Sequence, residues 1–298
     1  MFHAKINPFV SVVVPTFNRA GILEKTISFL LEQTYPDYEI IIIDQSSCPD
    51  TKKFEKKSDI IKYIHIKEKG LPNARNVGIK KSKGDIILFL DDDIIPDNDL
   101  IFHHVHGYRN EKAGCVAGRV IEEPDVLTNT NITGSKVTLS GRFLRNFRST
   151  SRQYIYAALG ANMSFLKEAI DKTGFFDTRF IGSSVLEESD YCYRLRKSGY
   201  IILYEPEALV KHLRMQTGGC RLGEPYQEIY YRLHNTVLFY AKNMNKLLLP
   251  FVFFVHILIA IRKVLIPGRN FWQFTKAVKG LFDGYSSYRT GNRNEIQF

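Results

Sequence analysis

The chain is poor in cysteine and nearly free of tryptophan, with 4 and 1 in 298 residues. Cys48, Cys115, Cys192 and Cys220 lie far apart and form no C-x-x-C pair, which excludes zinc knuckles and dithiol redox centres. They fit free thiols in a reducing compartment. No G-x-G-x-x-G follows the first apolar run, and G-x-x-x-x-G-K-[ST] is absent. Dinucleotide oxidoreductases and P-loop enzymes are thereby excluded, and phosphates must be held by metal and side chains. Met1 to Pro8 lacks the apolar stretch of a signal peptide, which points to the cytoplasm. The longest apolar run, Leu247 to Ile261, is broken by Pro250 and His256 and falls short of the ~20 residues that a spanning helix needs.

Acid is scarce in one region only. Residues 211–298 carry 13 Lys/Arg against 4 Asp/Glu, whereas the rest of the chain is nearly balanced. The net charge of +10 therefore belongs almost wholly to the C-terminal segment. Basic residues beside an apolar stretch suit an anionic membrane surface. Nucleic acid is the other standard partner of such charge, and a solvated face is the plain alternative.

What is present is a repeating pattern of apolar run, turn and amphipathic stretch. Val10 to Val14, Glu39 to Ile43, Ile61 to Lys67 and Ile86 to Leu90 read as strands, and residues 22–31 and 72–83 as helices. Residues 50–59 read as a further helix. Pro15 is expected to stop the first strand. Strand alternating with helix implies βαβ units and a largely parallel α/β sheet. Asp44 and the triplet Asp91-Asp92-Asp93 end two of these strands, and ligands of open α/β sheets gather at that edge. Three adjacent acids cannot enter a core unpaired. Either they turn into solvent or they hold a hard divalent cation such as magnesium or manganese.

Four segments together carry a resemblance: Val13-Val14-Pro15-Thr16-Phe17-Asn18-Arg19, Ile43-Asp44-Gln45-Ser46, Gly70 to Gly78, and Gly84-Asp85 with Leu90-Asp91-Asp92-Asp93. In this order they resemble glycosyltransferase family 2, and further matches extend the resemblance over residues 8–240. The resemblance implies a GT-A-type, mostly parallel sheet flanked by helices and an inverting enzyme that uses nucleotide-sugar donors. Residues 1–100 become the donor half, 101–222 the acceptor half, and 223–298 a helical, membrane-associating extension.

By the same resemblance Pro15, Thr16, Asn18 and Arg19 line the nucleotide pocket, Asp44 accepts from the base, and Arg75 approaches the diphosphate. Asp91 and Asp93 touch ribose and a Mn2+ or Mg2+ ion, Asp92 stands behind them, and His212 is the last protein ligand. Asn162, in Gly160 to Phe165, belongs to the segment that closes around the donor sugar. On the residues alone, Asp44 reads equally as a turn acid and Arg75 as a surface helix cation.

Inverting transfer needs a general base for the acceptor hydroxyl. Glu187-Glu188-Ser189-Asp190 resembles the acidic start of the family's catalytic helix, with Glu188 where the family usually has Asp. Glu188 is the first choice for the base, then Glu187. Asp190 sits four residues before Arg194, a spacing that also suits a helix ion pair.

Residues 122–155 read as a long polar loop with arginines at 142, 145, 148 and 152. Tyr200 to Tyr204 reads as a strand that ends at Pro206. The apolar, aromatic and basic tail, with Trp272, Phe274, Lys276 and Lys279, reads as a helix pair lying on the inner face of the plasma membrane, with one tilted span or a dimer interface as the alternatives. The function expected is sugar transfer from a UDP- or dTDP-sugar to a glycan or lipid-linked acceptor in bacterial surface-polysaccharide assembly, with no nucleic acid partner. The rivals are a non-catalytic nucleotide-sugar-binding scaffold and a processive polysaccharide synthase. The Q-x-x-R-W of processive enzymes is absent around Trp272.

Overall fold

The computed structural model describes residues 7–47, 54, 58–109, 112–122, 132–139, 143–182, 185–215, 219, 225–266 and 271–294. The helix expected over residues 50–59 falls mostly outside the described residues.

The apolar runs of the first third become buried strands: β1 (Val10–Thr16), β2 (Tyr38–Asp44), β3 (Ile61–His65) and β4 (Ile86–Leu90). They lie parallel in the order β3-β2-β1-β4. Helices α1 (Ala20–Leu30) and α2 (Leu71–Lys81) form two of the crossovers. Pro15 does not stop β1. The Val10 N–H bonds Asp37 on the β2 side, so the alternation turns the Pro15 nitrogen toward β4. The β4 ladder ends at Val13, so no bond is lost there.

The other half of the sheet is mixed. Strand β10 (Asn162–Leu166) runs antiparallel between β4 and β6 (Ala113–Glu122), and β11 (Ile201–His212) lies parallel to β6. β5 (Ile94–Pro96) and β9 (Gln153–Ile155) add antiparallel edges to β11. Six strands of the nine-stranded sheet, β1 to β4, β6 and β11, still share one direction. Residues 122–155 are therefore not a structureless loop: besides β9 they hold the hairpin β7 (Gly134–Val137) and β8 (Phe143–Asn146).

Strand β11 also runs past Pro206, where the sequence suggested a stop. Its pairing with β6 skips between Glu205 and Leu209, a bulge that absorbs the proline. Gly118 makes room for it, because a Cβ there would sit 2.3 Å from the Ala208 carbonyl oxygen. The strand regains its register and delivers His212 to the carboxyl edge.

Helices α3 (Leu100–Gly107), α4 (Lys167–Thr173) and α5 (Glu187–Lys197) flank this half. An aromatic cluster seats α5 on the sheet. Tyr191 stacks on Phe176 at 4.2 Å between centroids and meets Phe165 edge-on at 4.9 Å. The tail forms α6 (Pro225–Asn243), α7 (Leu249–Ala260) continued by one π-helical stretch Ile261–Leu265, and α8 (Phe271–Asn294). Gly280 and Gly284 let α8 approach α6 closely, since a Cβ would lie 2.4 and 2.3 Å from the carbonyl oxygens of Tyr230 and His234. Counted through Arg262 and Lys263, Lys246–Leu265 is 20 residues, long and apolar enough to cross a membrane by length and composition, and 22% of it is buried. The continuous π turn lengthens what the sequence offered as a shorter apolar run.

Candidate active site

A cavity of about 520 Å³ opens where β1, β4 and β11 end and α5 begins. Its lining includes Pro15, Thr16, Arg19, Gln45 and Lys69, together with Arg75, Asp91, Asp93 and His212. Glu187, Glu188 and Tyr231 line it as well.

The acidic triplet divides by geometry. Asp92 is buried and turns away from the metal-type cluster: its carboxylate accepts from Thr16 Oγ1 at 2.7 Å and Arg19 Nη1 at 2.9 Å. Burial pushes it up to about 6, with Arg19 and Thr16 opposing. Thr26 on α1 clasps the backbone beneath, donating to the carbonyls of Asp92 and Ile94 at 2.8 and 3.0 Å. Asp91, Asp93 and His212 converge instead, with one ligand atom of each within 4.8 Å of the others. His212 Nε2 lies 3.1 Å from Asp93 Oδ1 and 3.6 Å from Asp91 Oδ2. The Met215 N–H donates to Asp93 Oδ2 at 3.0 Å, which ties the chain after β11 to the triplet. Burial alone would raise the Asp93 carboxyl; the His212 and Arg19 contacts hold it below the ordinary range.

These residues fit a divalent cation. Two carboxylates and an imidazole, whose Nε2 faces both acids, form a hard, anionic donor set at one point; the other ring nitrogen, Nδ1, is buried with no hydrogen-bond partner among the described residues.

Arg75 is 1% exposed and forms an ion pair with Glu187. Its guanidinium also faces the Phe176 ring at 5.5 Å. Burial and the neighbouring Glu188 push Glu187 up, and Arg75 opposes them. Glu188 is half-buried, lines the cavity and makes no ion pair among the described residues; its Oε1 accepts from the Gly160 N–H at 3.3 Å. Leu186, just before these acids, has φ 81 with its side chain buried, an unusual left-handed conformation for a branched residue. Backbone strain of this kind gathers at sites where a neighbouring side chain must be aimed.

Several residues named from sequence lie outside the cavity lining. Asp44 is fully buried and its carboxylate accepts from the Ser46 N–H at 2.8 Å and Tyr63 Oη at 2.9 Å. Asn18, in the left-handed region at φ 55, is exposed, and its backbone N–H donates to Ser46 Oγ at 2.7 Å. Asn162 is fully buried and serves the β11 bulge: it donates to the carbonyl of Ala208 at 2.8 Å and accepts from His104 Nε2 at 2.7 Å. Asp190 is fully buried between Arg194 at 3.0 Å, Lys242 at 3.0 Å and Asn243 Nδ2 at 2.7 Å. It joins α5 to α6 and faces away from the cavity. Gln45, within the Ile43 to Ser46 segment but given no role from sequence, lines the cavity, as do Lys69 and Tyr231, which lie outside the motif segments.

The mostly parallel sheet is of the GT-A type, with an Asp-Asp-His cluster at its carboxyl edge. The profile described as "Glycosyl transferase family 2" matches residues 11–174. The chain belongs to glycosyl transferase family 2. An "Uncharacterized glycosyltransferase" of Rickettsia bellii is 43% identical over 98 residues, 32% of this chain and 14% of that protein. The "Poly-beta-1,6-N-acetyl-D-glucosamine synthase" of Staphylococcus epidermidis is 28% identical over 219 residues, 70% of this chain and 51% of the synthase. The chain thus spans about half the length of the synthases it matches. Among solved structures, GalNAc-T7 with UDP, GalNAc and Mn2+ aligns with a TM-score of 0.60 at 17% identity, over 78% of this chain and 50% of that one. The Pyrobaculum calidifontis mannosyltransferase PcManGT, in complex with GDP-Man and Mn2+, aligns with a TM-score of 0.58 at 16% identity, over 99% and 82%. These last two likenesses establish the fold.

Proposed function

We propose that this chain is an inverting, metal-dependent glycosyltransferase of surface-polysaccharide assembly, moving a sugar from a UDP- or dTDP-sugar to the hydroxyl of a glycan or lipid-linked acceptor. The observation that carries the reading is the division of labour between Glu187 and Glu188. Glu187 forms the ion pair with Arg75, while Glu188 lines the same cavity as the Asp91-Asp93-His212 cluster and forms no ion pair among the described residues. Glu188 takes the acceptor proton as its oxygen attacks the anomeric carbon. Asp91, Asp93 and His212 hold Mn2+ or Mg2+, which when bound offsets charge on the departing nucleoside diphosphate. Thr16 and Arg19, fixed by Asp92, and Gln45 and Lys69 shape the nucleotide side.

The exposed apolar residues of the tail, among them Phe251, Phe254 and Trp272, with Arg262 and Lys263 beside them, support attachment to the cytoplasmic face of a membrane. A processive synthase is the second reading, favoured by the similarity to the staphylococcal poly-β-1,6-N-acetylglucosamine synthase.

Thermal-shift screening of UDP-, dTDP- and GDP-sugars with and without Mn2+ tests the donor. The expected result is stabilisation by one class of nucleotide sugar only when Mn2+ is present. Glu188→Gln should keep that stabilisation and lose sugar transfer by on the order of a hundredfold or more. Full turnover in Glu188→Gln would place the base elsewhere. Product length then separates the readings: single-sugar addition supports the first, a polymer the second.

A further inference from the structure

One residue of the tail lines the cavity. Tyr231, on α6, lines the cavity together with Phe180, Ile181, Val185 and Leu186. All four are apolar, and they stand beside Glu188. The ring of Tyr231 is held in place on one side: Gly182, at φ +64, has its Cα against the ring, so that a Cβ there would lie 2.2 Å from Cγ. Tyr230 meets the same ring edge-on at 5.5 Å. The segment under it is clamped to α6, because Asn235 accepts from the Ile181 N–H at 3.1 Å and donates to the Ile181 carbonyl at 3.0 Å. Lys242 on the same helix pairs with Asp177 and Asp190. The ring is therefore registered to Ile181 and Gly182.

Resting on the glycosyltransferase reading above, the geometry points to Tyr231 as the platform for the acceptor: a pyranose whose apolar C–H face lies on the tyrosine ring and whose hydroxyl is turned toward Glu188. An aromatic with an apolar body and a polar tip, next to a shelf of aliphatic side chains and one carboxylate, matches a ligand with one apolar face and a hydroxyl rim. A purely hydrocarbon occupant would offer no further partner to the Glu188 carboxylate or to the Tyr231 hydroxyl. Tyr231 is a specificity-determining residue here, and the tail helix is part of the acceptor site as well as the route to a membrane.

Saturation-transfer NMR on the full chain tests this with methyl glycosides of glucose, N-acetylglucosamine, mannose and rhamnose, and with octyl glucoside. Wild type and Tyr231→Phe should saturate ring C–H protons of at least one methyl glycoside. Tyr231→Ala should weaken that binding roughly fivefold to tenfold, with UDP affinity in Mn2+ unchanged. Tyr231→Leu keeps bulk against Gly182 without the aromatic face and should show the same loss if the alanine variant does not fold. Undiminished glycoside binding in these variants overturns the proposal. So does a wild-type chain that saturates none of the glycosides, or only the octyl chain. UDP binding is read separately: glycoside binding without any UDP binding would remove the donor reading and leave the Tyr231 platform in place.

Discussion

Arg75 and Glu187 form a buried ion pair between residues 112 positions apart in the chain, joining the crossover helix α2 to the first turn of α5. The pair makes adjacent acids unequal. Glu187 is paired with the guanidinium, and Glu188, which lines the same cavity, forms no ion pair among the described residues.

Because both partners are buried, removing one strands the other. Arg75→Ala should destabilise the protein by about 3–5 kcal/mol in urea unfolding. A double variant, Arg75→Met with Glu187→Leu, should regain most of that loss, since an apolar pair of similar volume needs no desolvation of charge. A single variant as stable as the wild type would show that the pair contributes no structural energy.

Much of the donor half was legible because burial on both faces writes strands as continuous apolar runs, as in Ile40 to Ile43 and Ile86 to Leu90. What was illegible depended on partners distant in sequence. Pro206 reads locally as a stop, yet Gly118 and Asn162 accommodate the bulge that lets β11 continue to His212. Asp44, Asn162 and Asp190 sit within or beside the motif segments, but their polar atoms are taken by Tyr63, Ala208 and Lys242, which no local pattern links to them. Glu187 and Glu188 are neighbours of one chemical type, and only the position of Arg75 tells them apart. The β7–β8 hairpin escaped notice because its strands are short and carry little alternation.

His104 sets a pH limit on stability. It is fully buried, flanked by Ser164 Oγ at 2.9 Å and Asn162 Oδ1 at 2.7 Å. Burial holds it at about 4, down from the ordinary 6.5, with the Asn162 contact opposing. Above pH 6.5 neither the folded nor the unfolded chain protonates it, and its full contribution is present. As pH falls from 6.5 to about 4, the unfolded chain takes up the proton and the folded chain does not, so stability drops. The loss attributable to this residue is about 3 kcal/mol. Urea midpoints measured across that window should fall with acid, and His104→Gln should flatten the dependence. An equally steep slope in the variant would assign the effect to other groups.

Membrane attachment through the tail should show both apolar and electrostatic parts. Phe254 is 61% exposed on α7, and Arg262 and Lys263 are exposed at the end of the same helix. Burying a phenylalanine in a bilayer interface is worth about 1.5–3 kcal/mol. Phe254→Ser should therefore lower partition onto anionic vesicles by roughly tenfold to a hundredfold. Added salt should weaken binding further, because the Debye length shrinks below about 10 Å above 0.1 M. Co-sedimentation with anionic and neutral vesicles, alongside DNA retention, checks this. Vesicle binding indifferent to both salt and Phe254, or tighter retention of DNA, would refute the assignment.

Gly160 is the point where the ion pair and the free acid meet. A Cβ on it would lie 2.1 Å from Arg75 Nη2 and 3.2 Å from Glu188 Oε1, and its own N–H donates to that same carboxylate oxygen. The residue is kept small by what it touches, since its φ is not among the positive glycine angles of this chain. Gly160→Ala must push the guanidinium, which has Glu187 and the Phe176 ring on its other sides. Overpacking of this sort costs about 1–3 kcal/mol. The more telling effect is on rate. A shift of Arg75 moves Glu187, and Glu188 follows through the shared helical turn, so the base loses its position relative to the cavity. A misplacement of about 1 Å in a reacting group costs on the order of a hundredfold. Gly160→Ala should therefore lower kcat far more than it changes the affinity for UDP in Mn2+. Transfer kinetics beside UDP titration distinguish the cases: equal losses in both would mean that Gly160 shapes the nucleotide pocket, and a fall in kcat alone places it under the base.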